Sequence, residues 1–300
     1  MRYVPQRYVP KHLVVPPWLP DGYIRLLADR GEVFYRRHEN PDADGPALLL
    51  LHGWTASADL QWFTAYRALG ERYSFVAIDH RGHGRGLRSD EAFTLEDAAD
   101  DAAALVRELG VGPVVTVGYS MGGPISLLLA QRHPDLVSGL VLEATALEWR
   151  STVGDWLSWR GLRVLEAFLR SRASRWFGRH TVRFLADWNR ELEPYLGWVL
   201  AEARRGDAAD MTDAGRALSR YDARPFAPSL HRPSAVVFTT RDHLVKAAKQ
   251  RALARAVDAH LIEFAGDHFA FWANAKEFAD VTRDAVDNVV RRLPVASPAR

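Results

Sequence analysis

The residues with the clearest chemical meaning in this 300-residue chain are Gly118-x-Ser120-x-Gly122, set between the apolar run Val114–Val117 and a helical pattern formed by Ile125, Leu128 and Leu129. Flanking glycines let a strand turn sharply into a helix without Cβ clashes. Ser120 is thereby predicted at a strained apex, its hydroxyl at the helix N-terminus. A plainer reading makes Ser120 only a cap for that helix. Placement between strand and helix favours the nucleophile.

A serine hydroxyl is a weak nucleophile and needs a base, which in turn needs an orienting acid. After this kind of elbow the acid comes next in the chain and the histidine last. Six histidines follow Ser120: His133, His180, His231, His243, His260 and His268. His268 stands just beyond the last apolar run, in Phe264-Ala-Gly-Asp-His-Phe, where a loop at the sheet's carboxyl edge reaches back to Ser120. His133 ends the elbow helix before Pro134 and points away. Asp242, in Thr239-Thr-Arg-Asp-His, follows the strand Ala235–Phe238 at the same edge, where open α/β sheets place their sites. Glu143, at the end of an earlier strand, is the rival acid. Asp267, next to His268, reads as a solvated loop residue.

Acyl transfer also puts negative charge on a carbonyl oxygen, which requires donors set in place beforehand. The backbone amide of Met121 is one candidate. The other is the amide of Trp54, in the loop His52-Gly53-Trp54, with its ring free to pack against a lid. His52 is expected to support that loop by hydrogen bonding. The turn Asp79-His-Arg-Gly-His-Gly-Arg-Gly lacks the Gly-Lys-Ser/Thr of a phosphate loop, and its Asp79 and Arg81 are expected to tie neighbouring loops together. His80 and His83 have no third ligand at matching spacing, so no metal is expected there, and the chemistry needs no cofactor.

These residues need a frame. Short apolar runs at Tyr23–Leu27, Glu32–Arg36, Ala47–Leu51, Phe75–Ile78, Val114–Val117, Leu140–Leu142, Ala235–Phe238 and Leu261–Phe264 alternate with helical patterns, the signature of a mostly parallel sheet with helices on both faces. Ala47–Leu51 and Val114–Val117 do not alternate and read as central strands buried on both sides. Thr94 opens a helix that Gly110 stops. Residues 146–229 show no convincing strand and read as an all-helical cap inserted between two strands of one sheet. The catalytic core is therefore 21–145 and 230–300, and residues 1–20, with five prolines and the tandem Arg2-Tyr-Val-Pro and Arg7-Tyr-Val-Pro, form a Pro-rich N-terminal arm.

Composition limits the alternatives. Net charge is only +2, too balanced for a nucleic-acid partner. Cysteine is absent, which rules out disulfides and thiolate sites. No uninterrupted apolar run is long enough for a signal-peptide core or a membrane span, and a cytoplasmic location is the default. Ten tryptophans are an excess, and six of them, Trp149, Trp156, Trp159, Trp176, Trp188 and Trp198, fall in the cap, which suggests an apolar substrate. Residues 149–183 hold eight arginines against Asp155 and Glu166, a local charge of +6. Either this is an ordinary amphipathic lid with a solvated arginine face, or an interfacial helix making weak contact with anionic membrane surfaces. The sequence is silent on oligomeric state.

Together, His52-Gly53, Asp79-x-Arg-Gly-x-Gly, Gly118-x-Ser-x-Gly, Asp242 and His268, each after its strand and in this order, resemble the α/β-hydrolase family over roughly residues 21–145 and 230–292. The resemblance implies an eight-stranded, mostly parallel sheet with one antiparallel early strand and a helical cap between strands six and seven. It also implies the triad Ser120, Asp242 and His268 with Trp54 and Met121 at the oxyanion. Serine at the nucleophile position argues against the epoxide-hydrolase and haloalkane-dehalogenase branches. The expected activity is hydrolysis of a small apolar carboxylic ester, as in esterases and lipases. The same triad would serve thioesterases, C–C bond hydrolases, perhydrolase-type haloperoxidases and acyltransferases, and the fold also serves non-catalytic ligand receptors.

Overall fold

The computed structural model describes residues 2–4, 13–150, 159, 161 and 189–294. Nine strands form one sheet: β1 (Arg2–Val4), β2 (Asp21–Leu27), β3 (Gly31–His38), β4 (Leu48–Leu51), β5 (Phe75–Ile78), β6 (Val114–Tyr119), β7 (Val137–Glu143), β8 (Ser234–Thr239) and β9 (His260–Phe264). Their spatial order is β1-β2-β3-β5-β4-β6-β7-β8-β9. The eight expected strands are all present. Pairing is antiparallel across β1–β2, β2–β3 and β3–β5 and parallel from β5 to β9. The ninth strand is β1, whose Arg2–Val4 pairs with Gly22–Ile24. Part of the Pro-rich N-terminal arm thus pairs with the sheet, and Trp18, 5.0 Å from the His38 ring, packs against the core cluster. The second Arg-Tyr-Val-Pro copy lies outside the described residues.

The non-alternating central runs have the expected cause. Every residue of β4 and β6 is buried. Leu49 and Leu51 enter the apolar cluster on one face, Leu48 and Leu50 that on the other. The first face is covered by the helices Leu95–Leu109, Gly122–Arg132 and Ala247–Ala256, through Ala102, Leu105, Ile125, Leu129 and Leu253. The second is covered by Ala58–Trp62, Tyr66–Gly70 and Ala275–Val290, through Trp62, Leu69, Phe278 and Val289. At about 1.5–3 kcal/mol for each buried leucine-sized side chain, this double layer is the main driving force for the sheet. Helix Leu95–Leu109 begins where Thr94 accepts a hydrogen bond from the Asp97 amide (3.0 Å) and ends at Gly110, which takes φ 63°.

Between β7 and β8 the named elements among the described residues are helical: Arg190–Tyr195 (3-10), Leu196–Ala203, Ala208–Arg220 and Ala227–Ser229 (3-10). An antiparallel bridge between Glu148 and Asp222 joins the segment's entry to its exit. Most of the basic stretch 149–183, including Trp156 and Trp176, lies outside the described residues, as does Trp188. Among the described residues, no helix is long and apolar enough to cross a membrane.

Candidate active site

The turn from β6 into helix Gly122–Arg132 has the sharpness that its glycines predict. Ser120 adopts φ 51°, a left-handed conformation that costs a non-glycine residue on the order of 1–3 kcal/mol. A Cβ on Gly118 would fall 2.3 Å from the Gly122 carbonyl oxygen, and one on Gly122 would fall 2.1 Å from the Leu51 carbonyl oxygen. Hydrogen bonds hold the strained residue: its amide donates to the Glu143 carbonyl (2.9 Å), and its carbonyl accepts from the Thr145 hydroxyl (2.7 Å) and the Gly123 amide (3.0 Å).

Loops from the carboxyl ends of β8 and β9 bring the acid and the base to this apex. His268 Nε2 is 3.0 Å from Ser120 Oγ, and His268 Nδ1 is 2.8 Å from Asp242 Oδ2. Asp242 Oδ1 accepts from the amides of Leu244 and Val245, both at 2.8 Å, while Thr239 Oγ1 donates to Oδ2 (2.8 Å). Burial raises the pKa of the Asp242 carboxyl, but the His268 hydrogen bond and charge and the Val245 amide outweigh it, so the group is held below its usual range. Asp242 is therefore an ionised acceptor, suited to fix the imidazole tautomer that leaves Nε2 free to accept the Ser120 proton.

Glu143 does not take this place. It lies at the end of β7, and its backbone carbonyl, not its side chain, meets Ser120. Its carboxyl oxygens are buried and have no hydrogen-bond partner among the described residues. Burial pushes the carboxyl up to about 8. It is therefore mostly neutral at pH 7.

Across from the apex, the loop after β4 packs closely enough that a Cβ on Gly53 would lie 3.3 Å from Ser120 Cβ. Neither the Trp54 nor the Met121 amide donates to a backbone or side-chain acceptor among the described residues. An oxyanion would need two such unclaimed backbone donors. His52 supports the loop as expected. It donates from Nδ1 to the Gly53 carbonyl (2.8 Å) and accepts at Nε2 from the His80 amide (3.0 Å), and burial lowers its pKa to about 4, keeping the ring neutral.

The Gly-rich turn behaves as a structural tie. Asp79 accepts from the amides of Ala58 and Arg85, both at 2.7 Å, and Arg81 pairs with Asp101 through Nε (2.7 Å). The turn is also a seat for the helices that precede β8, since Arg85 reaches Glu202 (2.5 Å) and Arg88 donates to the Arg205 carbonyl (2.9 Å).

Several positioning residues carry no motif of their own. Tyr119, the middle residue of Gly118-x-Ser120, donates its hydroxyl to the His268 carbonyl (2.9 Å). Gln250 donates to Thr239 Oγ1 (2.9 Å), behind the Asp242 pair. Asp267 accepts from the Phe269 amide (2.8 Å) and so caps the turn that carries His268. Of the cap tryptophans, Trp159 packs against Trp54 with the rings tilted by 42° and their centroids 5.7 Å apart. Trp198 does not line a substrate face: it is buried edge-on against Phe63 in the core cluster.

The profile of the alpha/beta hydrolase fold matches residues 46–275. The chain belongs to the α/β-hydrolase family. Among its α/β-hydrolase relatives, a pimeloyl-[acyl-carrier protein] methyl ester esterase of Neisseria meningitidis is 27% identical over 84% of this chain and 98% of its own. A 2-(acetamidomethylene)succinate hydrolase of Mesorhizobium japonicum is 32% identical over 51% of this chain, and the match spans only 57% of that protein's length. Among solved α/β-hydrolase structures, the enol-lactonase of Burkholderia xenovorans superposes with a TM-score of 0.74 at 22% identity, covering 88% of this chain and all of the other, which supports the shared fold.

Proposed function

We propose that this α/β-hydrolase is a serine hydrolase that cleaves small carboxylic esters with an apolar acyl or aromatic group. The observation that carries the reading is the unbroken relay from Ser120 through His268 to Asp242, with links of 3.0 and 2.8 Å. Ser120 Oγ attacks the ester carbonyl while His268 Nε2 accepts its proton. Negative charge on the former carbonyl oxygen is stabilised by the amides of Trp54 and Met121. His268 then returns the proton to the leaving alkoxide, which departs as the alcohol and leaves an acyl group on Ser120. Water, deprotonated by the same imidazole, attacks the acyl-enzyme and releases the acid. Asp242 orients the ring and stabilises its charged form throughout.

The apolar preference rests on side chains near the relay. Trp54 packs on Trp159, Phe269 follows the base and is 43% exposed, and Leu244 follows the acid and is 64% exposed. The residues at 146–229 would act as the lid over this surface. For the basic stretch 149–183, sedimentation with anionic and neutral vesicles separates lipid docking from a solvated face: equal, weak binding to both excludes docking.

The reading is tested with p-nitrophenyl esters of increasing chain length, matched thioesters and a vinylogous diketone, offered to the wild type and to Ser120→Ala. The account predicts turnover of the esters by the wild type alone. Preferred thioester or C–C cleavage would keep the relay and replace the substrate class. Equal turnover by Ser120→Ala would remove the nucleophile.

A further inference from the structure

Trp54 has two ends with different partners. Its backbone amide lies in the loop that faces Ser120. Its indole Nε1 donates to the main-chain carbonyl of Met211 at 2.6 Å, across 157 residues, and Met211 belongs to helix Ala208–Arg220 in the segment between β7 and β8. The residue that follows, Thr55, adopts φ 62°. A β-branched residue is a genuine outlier in the left-handed region and persists only where its surroundings hold it. Within the loop, one backbone hydrogen bond, Ala56 amide to Gly53 carbonyl at 3.3 Å, spans this turn.

The helix that supplies the acceptor is itself fixed to the core. Met211 is buried, and its amide donates to the Asp207 carbonyl (3.0 Å). Gly82, at φ 72° in the Gly-rich turn, faces Asp210 so closely that a Cβ there would lie 2.6 Å from Asp210 Cβ. Ala214 and Leu218 of the same helix are buried in the core cluster, which holds the acceptor in place.

We propose that the Trp54 side chain is a positioning residue: by bonding the Met211 carbonyl, it holds the strained Gly53–Thr55 loop so that the Trp54 amide meets the oxyanion. The seat of helix Ala208–Arg220 thereby sets the donor geometry at Ser120. This rests on the serine-hydrolase reading above. A tether of this kind acts on the charged intermediate and not on substrate affinity, so its loss lowers kcat while KM stays. The expected size is that of one neutral hydrogen bond, about three- to tenfold.

The test compares the wild type, Trp54→Phe, and a protein with the benzothienyl isostere of tryptophan at position 54, which replaces the N–H by sulfur and keeps the ring's shape. Each is assayed for p-nitrophenyl ester turnover and for the rate of phosphonylation by a small fluorophosphonate, whose phosphoryl oxygen occupies the same donors. The tether predicts a three- to tenfold fall in kcat and a matching fall in phosphonylation rate for both variants, with KM within about twofold. If Trp54→Phe does not fold, the isostere carries the test. Unchanged rates in the isostere, or a rise in KM alone, overturn the tether while leaving the serine-hydrolase reading intact. A wild type that is not phosphonylated at Ser120 overturns that reading and the tether with it.

Discussion

His268 Nε2 and Ser120 Oγ lie 3.0 Å apart although 148 residues separate them in the chain. The parallel pairing of β6, β7, β8 and β9 brings their carboxyl ends to one edge, and the site forms in the loops that leave it.

The two carboxylates considered for the acid differ in one respect that activity can read. Asp242 contacts the imidazole at 2.8 Å, whereas the Glu143 carboxyl has no hydrogen-bond partner among the described residues. Asp242→Asn is expected to lower kcat by about 10⁴, because an amide at this position favours the wrong imidazole tautomer. Glu143→Gln should keep kcat within a few fold. Steady-state kinetics of the two variants check this, and a larger loss in Glu143→Gln would reverse the assignment.

Glu143 instead has a consequence for stability. Its carboxyl titrates near 4.5 when unperturbed and at about 8 in the fold. Between these values the folded state holds a proton that the unfolded state has released, so this group's contribution to stability declines as pH rises. The contribution is fully present below about pH 4.5 and lost by the time pH passes 8. Glu143→Gln removes the titration. Urea unfolding at pH 5 and pH 8 should show the variant gaining on the wild type at the higher pH.

The elbow's shape is a matter of main-chain clearance. A methyl group on Gly122 would meet the Leu51 carbonyl oxygen at 2.1 Å, and neither backbone belongs to a flexible side chain that could yield. Gly122→Ala should therefore abolish activity and destabilise the fold by at least about 3 kcal/mol, within the range where strain is diagnostic. Thermal unfolding and ester turnover measure both effects. An alanine variant with wild-type activity would contradict the geometry.

Burial separates two kinds of ion pair. Glu202 is 1% exposed, with Arg85 at 2.5 Å and Arg205 at 3.0 Å. Removing its carboxylate leaves Arg85 partly uncompensated in a buried setting, so Glu202→Ala should cost about 3 kcal/mol. Arg67 and Glu71, with side chains 73% and 57% exposed, form an exposed pair whose loss through Arg67→Ala should cost under about 0.5 kcal/mol. Chemical denaturation of both variants gives the comparison.

What was legible in the sequence follows from what local pattern encodes. Strands buried on both faces lose their alternation, which marks β4 and β6. Gly118 and Gly122 announce the elbow because only glycine fits where backbones meet. Asp242 and His268 are candidates in the sequence because each follows a strand at the sheet's carboxyl edge. The acid remained ambiguous because Glu143 also ends a strand, and only the direction of a side chain separates the two. β1 leaves no such mark, because a three-residue edge strand followed at once by Pro5 carries too little pattern. Tyr119, Thr239 and Gln250 act through contacts across the fold, and nothing in their local sequence marks them. The tryptophan count misled in part: Trp54 and Trp159 meet beside the site, whereas Trp198 is a packing residue.

In a serine hydrolase of this geometry Ser120 forms the covalent intermediate and His268 is its base. The direct measurement is intact-mass and peptide-level mass spectrometry after treatment with a fluorophosphonate, on the wild type, Ser120→Ala and His268→Ala. One stoichiometric adduct is expected on Ser120 in the wild type, none in Ser120→Ala, and a rate slowed by at least about a hundredfold in His268→Ala, the scale of general-base assistance. An unmodified wild type, an adduct on another residue, or an undiminished rate without His268 would contradict it.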